Sequence, residues 1–179
     1  MPNVRMDHVL VGNAKDLPSV QSTGAGPCLV LVLFDRQTKT AALAHISSST
    51  DIARAMVQIY SQLAAQGAPT SRLEARIYGG WLGFSEKTLA GIEAQLRLRQ
   101  IPVLEKDVLG DIGFRLNDYL GQATRVMSSS CKSCIDDSIK NIEFNLSTGE
   151  AYNVVPQTCT STTGPRQTLL PFKDSLAPK

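Results

Sequence analysis

Cys28-Leu29-Val30-Leu31-Val32-Leu33-Phe34-Asp35-Arg36-Gln37-Thr38-Lys39-Thr40-Ala41-Ala42-Leu43-Ala44-His45 holds two apolar runs on either side of a polar loop of hairpin length. Unbroken apolar runs of this length, bounded by polar residues, read as strands. Paired antiparallel, the start of the first strand faces the end of the second, which brings Cys28 and His45 to the same edge of a sheet. Just upstream lies Gly24-Ala25-Gly26-Pro27. Glycine at Gly24 and Gly26 allows a sharp turn with positive φ and leaves backbone N–H groups free for a developing oxyanion. A thiol is only a few per cent ionised at neutral pH, so an adjacent imidazole that takes its proton raises the reactive fraction. Two readings stand side by side at this point. Cys28 is a nucleophile activated by His45, or it is one of the many cysteines that open an apolar strand as core filling.

Working outward, strands and helices alternate. Val4 to Gly12 reads as an opening strand, with His8 as a surface or edge residue. Thr50 or Asp51 can cap a helix with Ile52, Met56, Ile59, Tyr60 and Leu63 on its apolar face, ending at Gly67. Leu73, Ala75 and Ile77 alternate with Glu74, Arg76 and Tyr78, the period of a half-exposed strand. Ser85 can cap a second helix that carries Leu89, Ile92 and Leu96, with Glu86, Lys87, Glu93, Arg97 and Arg99 as its wetted face. Leu116, Tyr119, Leu120 and Ala123 recur at helical spacing within Phe114 to Met127, and Ile139 to Val155 reads as a hairpin around Ser147-Thr148-Gly149. The predicted fold is α/β, a layered sandwich with helices packed on a mostly antiparallel mixed sheet.

Composition sets bounds on function. The chain has 179 residues, 42% hydrophobic and 19% charged, enough for one domain to bury a core without staples. A net charge of +2 and the lack of a basic stripe with interleaved aromatics argue against a nucleic-acid partner. No apolar run approaches the roughly 18 residues of a membrane span, so no membrane insertion is expected and the cytoplasm is the simplest address. Four cysteines, Cys28, Cys131, Cys134 and Cys159, are too few and too uneven for a disulfide framework. Cys131-Lys132-Ser133-Cys134 is a single C-x-x-C with no second pair to complete a zinc site, which leaves an incidental role or a reversible disulfide, and no metal is expected.

The stretch Ser22-Thr23-Gly24-Ala25-Gly26-Pro27-Cys28-Leu29-Val30, followed by Phe34-Asp35 and Ala41-Ala42-Leu43-Ala44-His45-Ile46, resembles the nucleophile and base region of the bacterial chemoreceptor glutamine deamidases, the CheD family. That family's pattern is Thr-x-Gly-x-Gly-Ser/Thr-Cys, a strand ending in Tyr-Asp, and Gly-Gly-x-Ala-His, with the same Cys-to-His spacing. Leu73 to Gly80 resembles its Ala-Lys-Ile-Phe-Gly-Gly segment, Ile101 to Val108 its next strand, and Ile142 to Asn145 with Thr148-Gly149-Glu150 its closing hairpin. The likeness runs in order over most of 4–155, and only the Cys and His motifs are specific. Ser22 stands where the family has Thr, Pro27 where it has Ser or Thr, Ser47-Ser48 where it has Leu-Pro, and Trp81 where a small residue is usual.

The resemblance implies a deamidase domain over 1–155, with 112–137 as a divergent insert and 156–179 as a loosely held tail. It implies hydrolysis of a protein glutamine side-chain amide to glutamate with release of ammonia, without a cofactor. Cys28 would be the nucleophile, His45 the base and Ser22 the group that orients the imidazole, with Gly24, Gly26, Gly79 and Gly80 serving the oxyanion or the substrate. Chemoreceptor helices are the implied substrate and a chemotaxis phosphatase the implied partner. Two alternatives go with it: a non-catalytic signalling module that keeps the fold and binds a partner, favoured by Pro27, and a secreted deamidase or transglutaminase effector with another protein substrate, favoured by Trp81 and the insert.

Overall fold

A computed structural model of the chain describes residues 1–112 and 138–154. The core of the fold is the hairpin of β3 (Leu29–Asp35) and β4 (Thr40–Ile46), in register from Leu29 opposite Ile46 to Asp35 opposite Thr40. β1 (His8–Asn13) pairs with the outer side of β4, and β5 (Leu73–Trp81) with the outer side of β3, both antiparallel. β6 (Val103–Gly110) joins β5 in the one parallel pairing of this five-stranded sheet, ordered β1-β4-β3-β5-β6. A second sheet of three antiparallel strands, ordered β2-β7-β8, is built from β2 (Ser19–Ala25), β7 (Lys140–Asn145) and β8 (Glu150–Asn153). Among the described residues, helices α1 (Ile52–Ala65) and α2 (Glu86–Leu98) complete a mixed α/β architecture.

Side-chain alternation explains the layering. Leu29, Leu31 and Leu33 with Ala42, Ala44 and Ile46 point to the helices and pack on Met56, Ile59, Leu63, Leu89, Ile92 and Leu96. Val30, Val32 and Phe34 with Ala41 and Leu43 point the other way and pack on Val20, Ile142, Phe144 and Ala151 of the small sheet. A strand buried on both faces needs apolar residues at every position, which is why β3 and β4 read as continuous runs. The predicted sandwich therefore gains a layer: helices, large sheet, small sheet.

That extra layer corrects two readings. β5 was expected to be half exposed, yet Arg76 and Tyr78 are 6% and 0% exposed, because the small sheet covers the face they occupy. Arg76 Nη2 pairs with Glu74 at 3.0 Å and Tyr78 Oη donates to Glu105 at 2.8 Å, while Arg76 Nη1 is buried with no hydrogen-bond partner among the described residues. The expected single strand from Val4 to Gly12 is instead split between the two sheets. Asn3 and Val4 run beside Gln21 of β2, the chain turns at Asp7 with φ of 59°, and only then does β1 begin.

Helix α1 starts where Asp51 Oδ1 accepts the Arg54 N–H at 3.1 Å and buries the anticipated face. Thr50, the other candidate cap, turns instead to the Asp7 carboxylate. The hairpin of β7 and β8 turns at Gly149 as expected. Among the described residues no helix is long and apolar enough to cross a membrane. The proposed insert beyond Ile112, the tail, and Cys131, Cys134 and Cys159 lie outside the described residues.

Candidate active site

The two sheets contribute one polar group each to a buried contact between them. Ser22 sits on the inward face of β2 and His45 on the face of β4 that meets it, and Ser22 Oγ lies 2.8 Å from His45 Nδ1. Both are nearly closed to solvent, at 0% and 4% exposure. Ser22 Oγ also lies 3.0 Å from the Val4 carbonyl, which can only accept, so the single hydroxyl proton goes there. The hydroxyl lone pair is then left for Nδ1–H. This assigns the imidazole tautomer: Nδ1 carries the proton and Nε2 is the free basic nitrogen.

Cys28 follows from the register. His45 is opposite Val30, and Cys28 lies two residues before Val30 in the bend that leads into β3, which puts it at the His45 end of the hairpin. It is 8% exposed and ends the loop after β2, where Pro27, like Thr23 and Gly24 at the end of β2, is open to solvent. No hydrogen bond joins the Cys28 thiol to either ring nitrogen among the described residues. Burial pushes the thiol above its ordinary 9.0, with the Asp7 charge adding to the effect. Burial also pulls His45 below its ordinary 6.5, against the opposing pull of the Val4 carbonyl and the Asp7 carboxylate. The pair therefore rests as neutral thiol and neutral imidazole at pH 7, and any thiolate has to form during attack.

Asp7 is the charge nearest this pair, and its place in the site was not visible in the sequence. Its carboxylate accepts from the Thr50 hydroxyl and the Ser47 N–H, which hold it below the ordinary carboxylate range and hence ionised. Its own N–H donates to the His45 carbonyl at 2.7 Å, tying the turn before β1 to the end of β4. A cleft of about 210 Å³ lies alongside, lined by Asp7, His8, His45, Thr50, Gln58 and Gln62 among others.

The structure places all four glycines in the backbone around Cys28. Gly24 has the predicted positive φ, 76°, but its N–H donates to Asn141 Oδ1 at 2.9 Å. Gly26 has no positive φ; it is small because a Cβ there would lie 2.7 Å from the Trp81 ring, and its N–H is taken by the Gly24 carbonyl. Gly80 N–H donates to the Cys28 carbonyl at 2.8 Å, and a Cβ on Gly79 would come 2.8 Å from that same oxygen. Gly79 and Gly80 thus let β5 approach the Cys28 backbone closely. The N–H groups of Gly24, Gly26 and Gly80 are spent inside the protein, and Pro27 has none. The Cys28 N–H donates to no acceptor among the described residues.

Among the described residues no three His, Cys, Asp or Glu side chains gather as a metal ion would require. The chain matches no protein-family model and no curated protein. Sequence reasoning missed Val4, Asp7, Ser85 and Asn141, whose contributions come through contacts between distant segments that leave no local spacing to read.

Proposed function

We propose that the protein is a cysteine-dependent protein-glutamine deamidase acting through Cys28 and His45. The observation that carries this reading is the buried Ser22–His45 contact, which leaves Nε2 as the free basic nitrogen at the end of the hairpin that Cys28 leads into. In the first step His45 Nε2 takes the thiol proton while sulfur bonds to the amide carbon of a substrate glutamine. The tetrahedral intermediate collapses as the protonated imidazole gives its proton to the departing nitrogen, releasing ammonia and leaving a thioester. Water, losing a proton to His45, then adds to the thioester; the C–S bond breaks, the thiol regains its proton and glutamate is released. The Cys28 N–H is the donor available to the oxyanion.

The substrate rests on the resemblance of residues 22–46 and 73–80 to the chemoreceptor deamidases, so a chemoreceptor helix in the cytoplasm is the substrate to try first. The test is ammonia release from glutamine-bearing receptor fragments. Native protein should release ammonia, Cys28→Ala and His45→Ala should not, and a mass increase of about 1 Da at a glutamine should accompany each turnover. The absence of Cys28-dependent release from any such fragment would remove this reading.

A second reading, a non-catalytic module that binds a signalling partner, is favoured by the thiol held above its ordinary range with no hydrogen bond to the imidazole. Partner binding that survives Cys28→Ala, together with no ammonia release from native protein, would select it.

A further inference from the structure

Ser85 stands at the N-cap position of α2, where a serine hydroxyl ordinarily accepts an N–H from the first turn of the helix. Here it makes no such bond. Its Oγ, 1% exposed as a residue, donates to the Pro27 carbonyl at 2.7 Å and accepts the Trp81 N–H at 3.0 Å. The cap is diverted across 58 residues of chain to the loop that ends in Cys28.

The Pro27 carbonyl belongs to the same planar peptide unit as the Cys28 N–H. No peptide bond among the described residues is cis, so the two groups point in opposite directions from one rigid plane. A hydrogen bond that holds the carbonyl towards α2 therefore aims the N–H away from it, and draws electron density from the N–H as it does so. The flanking atoms are held as well. Gly80 N–H fixes the Cys28 carbonyl at 2.8 Å, and the proline ring fixes φ of Pro27. Proline in this loop removes one donor and, together with Ser85, restrains the plane that carries the next.

We propose that Ser85 is a positioning residue for the oxyanion donor, setting the Pro27–Cys28 peptide plane so that the Cys28 N–H meets the negative oxygen formed when Cys28 attacks an acyl carbon. It acts through the backbone and touches neither the substrate nor the thiol. The inference rests on the reading of Cys28 as nucleophile and deepens it.

Two reactions of the same sulfur separate aim from general loop integrity. Alkylation by iodoacetamide passes through no oxyanion, whereas acylation by p-nitrophenyl acetate does. In the intact chain, with modification at Cys28 mapped by peptide mass, Ser85→Ala should slow Cys28 acylation on the order of 10- to 100-fold, the range for a displaced rather than deleted group. Alkylation of Cys28 should stay within about twofold over the same pH range, because the thiolate itself is untouched. Ser85→Thr, which keeps the hydroxyl, should acylate as the native chain does. If acylation and alkylation change together in Ser85→Ala, or if acylation does not change, the inference is overturned. Should Ser85→Ala fail to fold, loss of acylation in Ser85→Thr with alkylation intact would overturn it equally. A native chain whose Cys28 alkylates but never acylates would bring down the nucleophile reading and this inference together; normal native acylation that is insensitive to Ser85 would bring down this inference alone.

Discussion

Cys28 and His45 are held neutral by the same cause, burial, and that has consequences for pH. With the thiol above its ordinary 9.0, alkylation of Cys28 should be slow at pH 7 and climb through the alkaline range. Asp7 disfavours the thiolate by its negative charge, so Asp7→Asn should move the alkylation profile to lower pH; an unchanged profile would show that the charge does not reach the sulfur. His45 is shifted the other way. Because its folded pKa lies below the ordinary 6.5, the unfolded chain binds more protons once the pH falls past 6.5. Its contribution to stability is complete above 6.5 and is lost as the pH drops through the folded value. Urea unfolding of His45→Gln should accordingly lose less stability than the native chain between pH 7 and 5. Asp7 and Asp35, both held below their ordinary 3.8, act only in a more acidic window.

Among the elements, β5 shows how closely the loop before β3 is gripped. At Gly24 the φ of 76° is the whole constraint, since a Cβ would meet nothing within 4 Å. At Gly79 a φ of 85° is combined with the 2.8 Å approach to the Cys28 carbonyl. Gly24→Ala should therefore cost about 1–2 kcal/mol, the left-handed penalty alone. Gly79→Ala should cost more and should also change the alkylation rate of Cys28, because β5 cannot retreat without moving the oxygen bonded to Gly80. Chemical denaturation and alkylation of both variants check this, and equal losses would mean that the close approach relaxes freely. Helix α2 grips the same loop. Its cap residue Ser85 bonds the Pro27 carbonyl in the loop that ends in Cys28, while Glu86 Oε1 accepts from Gly83 N–H just ahead of the helix.

The Ser22–His45 contact lies where the two sheets meet. Phe34 of β3 and Phe144 of β7 pack edge to face with ring centroids 5.3 Å apart, and Gly149 between β7 and β8 closes over the Phe34 ring. Phe34→Ala should cost about 3–5 kcal/mol, as large buried aromatic truncations do. It should also loosen the Ser22–His45 contact, since those residues lie on opposite sheets. The His45 Nδ1 proton resonance, sharp while that hydrogen bond holds, should broaden in this variant. A stable Phe34→Ala protein with the resonance unchanged would mean that the sheets are held together elsewhere.

Periodicity and turn chemistry were enough to determine the β3–β4 hairpin, both helices and the β7–β8 turn, because each depends on residues within a few positions of one another. The same local logic put Cys28 and His45 on one sheet edge, since a hairpin's register follows from its loop. Tertiary structure alone decided that the strands divide into two sheets, that Arg76 and Tyr78 are covered, and that Val4, Asp7 and Ser85 contact Ser22, His45 and Pro27. Apolar runs record that a strand is buried on both faces without recording what buries it. Similarly, a hydroxyl such as Ser85 carries the cap signature whether it bonds its own helix or a carbonyl 58 residues away. Only the packing of distant segments selects the acceptor, and with it the direction of the Cys28 N–H.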